Sequence, residues 1–154
     1  MERKFAIYKT KLGYLKIDYS NRGITGLSRI DNYPIDKQVR SSLTDKTAQE
    51  ISEYLEGTRC IFDVPLSFEG TPFQIKVWNL LLKIPYGETR TYQEIAVDAG
   101  NPKACKAVGM ACNKNPIAML IPCHRVIGKN KKLTGYAGGL EMKRFLLNLE
   151  QGER

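Results

Sequence analysis

Ile121-Pro122-Cys123-His124-Arg125-Val126-Ile127 sets a thiol, the chain's single imidazole and a guanidinium side by side. A cysteine is a nucleophile as its thiolate. A nearby imidazole or positive charge can draw its pKa down from the ordinary value of about 8.5. Neighbouring side chains need not face each other, so the dipeptide alone also fits a buried structural thiol beside a loop histidine, the commoner setting for free cysteine. The flanks add to it. Pro122 restricts Ile121 and offers no amide donor. Pro116-Ile117-Ala118-Met119-Leu120-Ile121 is apolar and predicts a short buried strand or extended segment. Gly128-Lys129-Asn130-Lys131-Lys132 predicts a solvated turn. A group placed where a buried segment emerges is both held and reachable.

Working outward, Thr71-Pro72 reads as a helix start, with threonine as cap and proline in the first turn. Phe73, Val77, Leu80, Leu81 and Ile84 form its apolar stripe, Trp78 reads as core, and Pro85-Tyr86-Gly87 ends it. Thr91-Tyr92-Gln93-Glu94 fits a capping box for a short helix to about Asp98. After Gly100, Asn101-Pro102 predicts a second helix to about Cys112. Two short helices joined by a tight glycine turn suggest a helix-turn-helix whose second helix faces DNA, although many helical hairpins bind nothing. Leu140, Met142, Phe145, Leu146 and Leu149 predict a closing helix. The first third reads differently. Phe5–Tyr8, Tyr14–Tyr19 and Gly23–Leu27 predict strands, Thr44–Glu56 a helix stopped by Gly57, and Ile61–Leu66 a further strand. Ser67–Gly70 reads as a connector, so the expected domains are 1–69 and 70–154.

Composition bounds the function. A hydrophobic share of 42% with no long apolar run argues for a soluble chain, expected in the cytoplasm and away from membranes. Cys60, Cys105, Cys112 and Cys123 include no CxxC pair, and one histidine makes a structural zinc site improbable, so reduced thiols and no metal are expected. Cys105 and Cys112 read as packing residues. Residues 1–69 carry 11 basic and 10 acidic side chains, whereas 70–154 carry 13 and 6. A basic second half fits a polyanionic partner, and equally a merely soluble basic surface.

Six blocks then occur in series: Pro85-Tyr86-Gly87-Glu88-Thr89-Arg90-Thr91-Tyr92, Gly100-Asn101-Pro102-Lys103, Ala107-Val108-Gly109, Asn115-Pro116, Ile121–Val126 and Gly135-Tyr136-Ala137-Gly138-Gly139-Leu140. From about Thr71 to Glu150 the chain resembles the O6-methylguanine-DNA methyltransferases. The resemblance implies an α+β fold: a small N-terminal α/β (ribonuclease H-like) domain, then a mainly helical domain with a winged-helix-like helix-turn-helix. It implies irreversible single-turnover transfer of the alkyl group from O6-alkylguanine, and from O4-alkylthymine, to Cys123 after base flipping. No cofactor is implied. The partner would be double-stranded DNA met through its minor groove by a monomer.

Roles follow residue by residue from the same resemblance. Cys123 accepts the alkyl group, His124 takes the thiol proton through a water, and Glu150 orients His124. Asn115 organises the turn beneath the site. Tyr92 assists at the guanine oxygen, and Tyr136 packs on the base. The backbone of Cys123 and Val126 reads the guanine edge, and Gly138 leaves room for the alkyl group. Ala137 stands where some relatives carry serine. Lys106 stands where the family's gap-filling finger is usually arginine, and lacks the planar guanidinium. Asn101, Lys103, Ala107 and Arg125 complete the candidate DNA contacts. Three other readings remain: a non-catalytic lesion-binding module, an alkylation-responsive DNA-binding regulator, and a cysteine hydrolase. The thiol at 123 and the acid at 150 argue against the first, and the want of a separate acyl-transfer constellation argues against the last.

Overall fold

A computed structural model of the chain describes residues 4–31, 37–131, 136 and 139–152. The chain divides into two compact units, Met1–Phe68 and Glu69–Arg154.

In the first unit β1 (Lys4–Thr10), β2 (Gly13–Ser20) and β3 (Gly23–Ile30) form an antiparallel meander in the order β1-β2-β3. Ala6, Leu15, Ile17, Ile24 and Leu27 are buried, together with Ile51, Tyr54 and Leu55 of helix α1 (Ser42–Glu56). Helix α1 starts two residues before the expected Thr44. The reason is a reciprocal cap in which the Ser41 side chain accepts from Thr44 N and the Thr44 hydroxyl accepts from Ser41 N. Gly57 ends it at φ 83°, as its sequence position predicts. The expected strand Ile61–Leu66 does not form. Only Leu66 bridges to Ile24, parallel, with Ile24 N–H donating to Pro65 O and Ser67 N–H to Ile24 O. Pro65 has no N–H to extend that pairing.

The second unit is mainly helical. Helix α2 (Pro72–Leu81) is capped by Thr71 as predicted, with Gln74 completing a capping box, but ends before Ile84, which instead follows in turns. Trp78 is core, and its indole N–H donates to Ala111 O at 2.9 Å. Strand β4 (Arg90–Thr91) leads into α3 (Tyr92–Asp98), capped by Thr91 and Glu94. Gly100 turns the chain at φ 87°. Helix α4 (Cys105–Asn113) packs on α3 as the second half of the helix-turn-helix. It begins later than the expected Asn101, because the Asn101 side chain accepts from Lys103 N–H and its carbonyl from Ala104 N–H, closing a turn first. Strand β5 (Val126–Ile127) pairs parallel with β4, and α5 (Leu140–Glu150) closes the unit. On α5, Met142, Leu146 and Leu149 are buried as predicted, whereas Leu140 and Phe145 are exposed. No helix among the described residues is long and apolar enough to cross a membrane.

Candidate active site

The segment before Cys123 is a buried loop, not the expected strand or extended run. Leu120 N–H donates to Ala118 O around Met119, which has φ 75°, and Cys123 N–H donates to Ile121 O around Pro122, at φ −80° and ψ 64°. These are two three-residue turns, the first of the rare left-handed kind. A buried loop must still satisfy its peptide groups. Asn115 does so: its Oδ1 accepts from Ile117 N–H, and its Nδ2 donates to Ile121 O at 2.8 Å and to Cys123 Sγ at 3.0 Å. One side chain therefore holds both the loop and the sulfur.

Cys123 opens a single 3-10 turn, Cys123–Arg125, and Val126 N–H returns to Cys123 O. Cys123 and His124 are fully buried. His124 Nε2 lies 2.6 Å from Glu150 Oε2. Arg125 clasps the same carboxylate with two bonds, Nε to Oε1 at 2.8 Å and Nη2 to Oε2 at 2.9 Å, and Gly87 N–H donates to Oε1 at 3.1 Å. A carboxylate that accepts at Oε2 requires His124 to carry its proton on Nε2. Nδ1 then presents the lone pair. Burial holds the imidazole below its ordinary pKa despite Glu150, whose charge Arg125 already offsets, so the ring is neutral at neutral pH. Burial likewise pushes the Cys123 thiol up to about 11, against the Asn115 hydrogen bond and the Lys143 ammonium, which favour the thiolate.

Of the residues expected from sequence, Cys123, His124, Asn115 and Glu150 come together in this buried network. Tyr136 packs edge-on to His124, with ring centroids 6.4 Å apart, and burial raises its phenol well above the usual range. Tyr92 is half-buried at the start of α3. Asn101, Lys103, Lys106 and Ala107 are exposed on and before α4, whereas Cys123 is buried. Arg125, expected among the DNA contacts, points into the site. Its guanidinium turns inward to Glu150 and to Ile84 O at 2.7 Å and lies 5.8 Å from the centre of the Tyr86 ring, so here it braces the site and is largely buried. Ala137 and Gly138 lie outside the described residues.

Sequence reasoning missed Lys143. It is fully buried on α5, donates to Tyr92 Oη at 3.3 Å, and has its ammonium 5.6 Å from that ring's centre. Burial lowers its pKa, while the Cys112 and Cys123 thiols act the other way. The signal was present: Lys143, Leu146 and Glu150 share the spacing i, i+3, i+7 of the helix's inner face.

The neutral His124 and the raised thiol predict a pH profile. With a small free alkylated guanine, the rate of loss of the thiol should stay level from neutral pH down past about 6.5, the ordinary histidine pKa, and fall only below it. A fall beginning above that value would mean that His124 titrates as an exposed imidazole.

Comparison with known proteins identifies the family. Residues 4–68 match the family model for the 6-O-methylguanine DNA methyltransferase ribonuclease-like domain, and residues 72–152 match that for its DNA binding domain. A methylated-DNA-protein-cysteine methyltransferase of Methanosarcina acetivorans is 60% identical over 105 residues, covering 68% of this chain and 67% of the relative. A probable one from Acanthamoeba polyphaga mimivirus is 46% identical over 151 residues, covering 96% and 97%. The crystal structure of Mycobacterium tuberculosis OGT in complex with DNA superposes with a TM-score of 0.88 at 40% identity, covering 97% of this chain and 94% of that one. With both domains matched in order and the buried Cys123 network in the second of them, the chain belongs to the 6-O-methylguanine-DNA methyltransferase family.

Proposed function

We propose that the chain repairs DNA by taking the alkyl group of O6-alkylguanine onto Cys123, once per molecule. The observation that carries this reading is the sulfur held by Asn115 beside a neutral histidine fixed by Glu150. Displacement at a saturated carbon needs a soft anionic nucleophile. The thiol proton passes to His124 Nδ1 through a water, because Glu150 already engages Nε2. The thiolate attacks the alkyl carbon, an S–C bond forms, the C–O6 bond breaks, and the electron pair leaves on the guanine oxygen. The Tyr92 hydroxyl, which accepts from Lys143, donates toward that oxygen. The thioether product is stable, so a monomer corrects one lesion. O4-alkylthymine offers the same alkyl carbon on an aromatic oxygen and reacts in the same way.

A stacked base cannot reach a buried sulfur, so it must be flipped out of the duplex. The exposed residues Asn101, Lys103, Lys106 and Ala107 meet the duplex from its minor groove, with Lys106 filling the vacated space. Tyr136 then packs on the extruded base, and the Cys123 and Val126 backbone reads its edge. The acceptor test is intact mass and peptide mapping after reaction with duplex DNA bearing O6-methylguanine. One methyl group on Cys123 per protein is expected. Methylation of Cys105 or Cys112 instead, or turnover without a protein adduct, would sink the reading.

A further inference from the structure

We propose that Met110 is an apolar wedge that enters the minor groove beside Lys106 and props open the base step from which the damaged nucleotide leaves. The proposal rests on the reading that α4 faces the minor groove, and it adds a positioning residue to that surface. Helix α4 has a clear inner side, with Val108, Ala111 and Cys112 buried. Its outer side carries Lys106, Ala107 and Met110, all exposed, and Lys114 follows at the cap. Lys106, Met110 and Lys114 are four apart, so an ammonium, a thioether and a second ammonium form one stripe.

Met110 is 59% exposed, which is unusual for an unbranched apolar side chain with a helix core available one position away. Its neighbour Gly109 faces inward: a Cβ built there would sit 3.9 Å from Tyr92 Cε1. Met110, the next residue, lies on the outer side of the same helix. Ala107, one turn earlier, is small enough to let the helix backbone come close. Proteins that kink DNA from the minor groove push apolar side chains, methionine among them, between base steps while lysines meet the phosphates. The stripe has that composition. The long, unbranched methionine side chain can also adapt to a step of variable width.

The test compares Met110→Gln, polar and of similar length, with Met110→Leu, which stays apolar. Each protein is reacted in single turnover with an O6-methylguanine duplex and with free O6-benzylguanine. Fluorescence of a 2-aminopurine placed beside the lesion reports unstacking. Lys106→Ala serves as the comparison for a lost finger. For Met110→Gln the ratio of duplex rate to free-base rate should fall about tenfold, with a weaker unstacking signal, whereas Met110→Leu should stay within about twofold of the parent. An unchanged ratio for Met110→Gln in a parent that methylates Cys123 would overturn the wedge alone. A parent that never becomes methylated would overturn the repair reading and the wedge with it. Because Met110 is 59% exposed, an unchanged thermal midpoint is expected, and a loss shared equally by both substrates would also reject the wedge.

Discussion

Cys123→Ser is expected to end alkyl acceptance altogether while leaving the protein folded and able to bind DNA. The substitution changes one atom, yet that atom is the proposed nucleophile. A serine hydroxyl is a hard oxygen whose proton Nδ1 of a neutral imidazole cannot remove appreciably, so the rate should drop by roughly 1,000-fold or more. The loss should appear equally with an O6-methylguanine duplex and with a free alkylated guanine, because the lesion lies in chemistry and not in base extrusion. Folding should survive. Serine is slightly smaller than cysteine, and its oxygen can accept the hydrogen bond that Asn115 Nδ2 now gives to sulfur. The exposed face of α4 is untouched, so the variant should retain duplex affinity with its salt dependence. Mass spectrometry, thermal unfolding and a binding titration at two salt concentrations separate these claims. A methyl group found on Cys112 in the variant would show that the pocket activates a second thiol. Residual transfer at the parent's rate would remove Cys123 from the chemistry.

Local signals made most of the framework legible. Thr71-Pro72, Thr91-Tyr92-Gln93-Glu94 and Gly100 state where helices begin and end, because caps depend on a few neighbouring residues. The alternation of β1 and β2 is equally local. The loop from Pro116 to Ile121 misled for a physical reason. Its six residues are apolar because they are buried, and burial without periodicity reads as a strand. What makes a loop possible there is Asn115, whose amide supplies the hydrogen bonds a strand neighbour would have given. Lys143 was hidden for the opposite reason. A lysine on a helix is read as solvated, and only the tertiary fold shows its ammonium against Tyr92. Arg125 was legible as a charged neighbour of the thiol, but its direction was not. One residue along a 3-10 turn decides whether a guanidinium faces solvent or the carboxylate of Glu150, 25 residues away in sequence.

Glu150→Gln should strongly destabilise the second unit. The carboxylate accepts four bonds: Arg125 Nε and Gly87 N–H at Oε1, and Arg125 Nη2 and His124 Nε2 at Oε2. An amide has one oxygen and one NH2. In either orientation the NH2 faces two donors, and the buried guanidinium of Arg125 loses its counter-charge. Breaking a buried charge pair from one side costs about 3–5 kcal/mol. That is a large part of a typical stability of roughly 5–15 kcal/mol, and it should lower the thermal midpoint by about 10 °C or more. The chemistry should fail as well, and for a distinguishable reason. If the NH2 turns to His124, the ring must accept there, its proton moves to Nδ1, and the nitrogen proposed to take the thiol proton becomes a donor. Transfer to Cys123 should therefore slow by about 100-fold even at a low temperature where the variant is folded, and with the free base as much as with the duplex. A variant that melts early but reacts normally when cold would keep Glu150 as a brace for Arg125 and remove it from the proton path. One with a normal midpoint would show that Arg125 can be held by Ile84 O alone, and the buried network would lose its claim to organise the site.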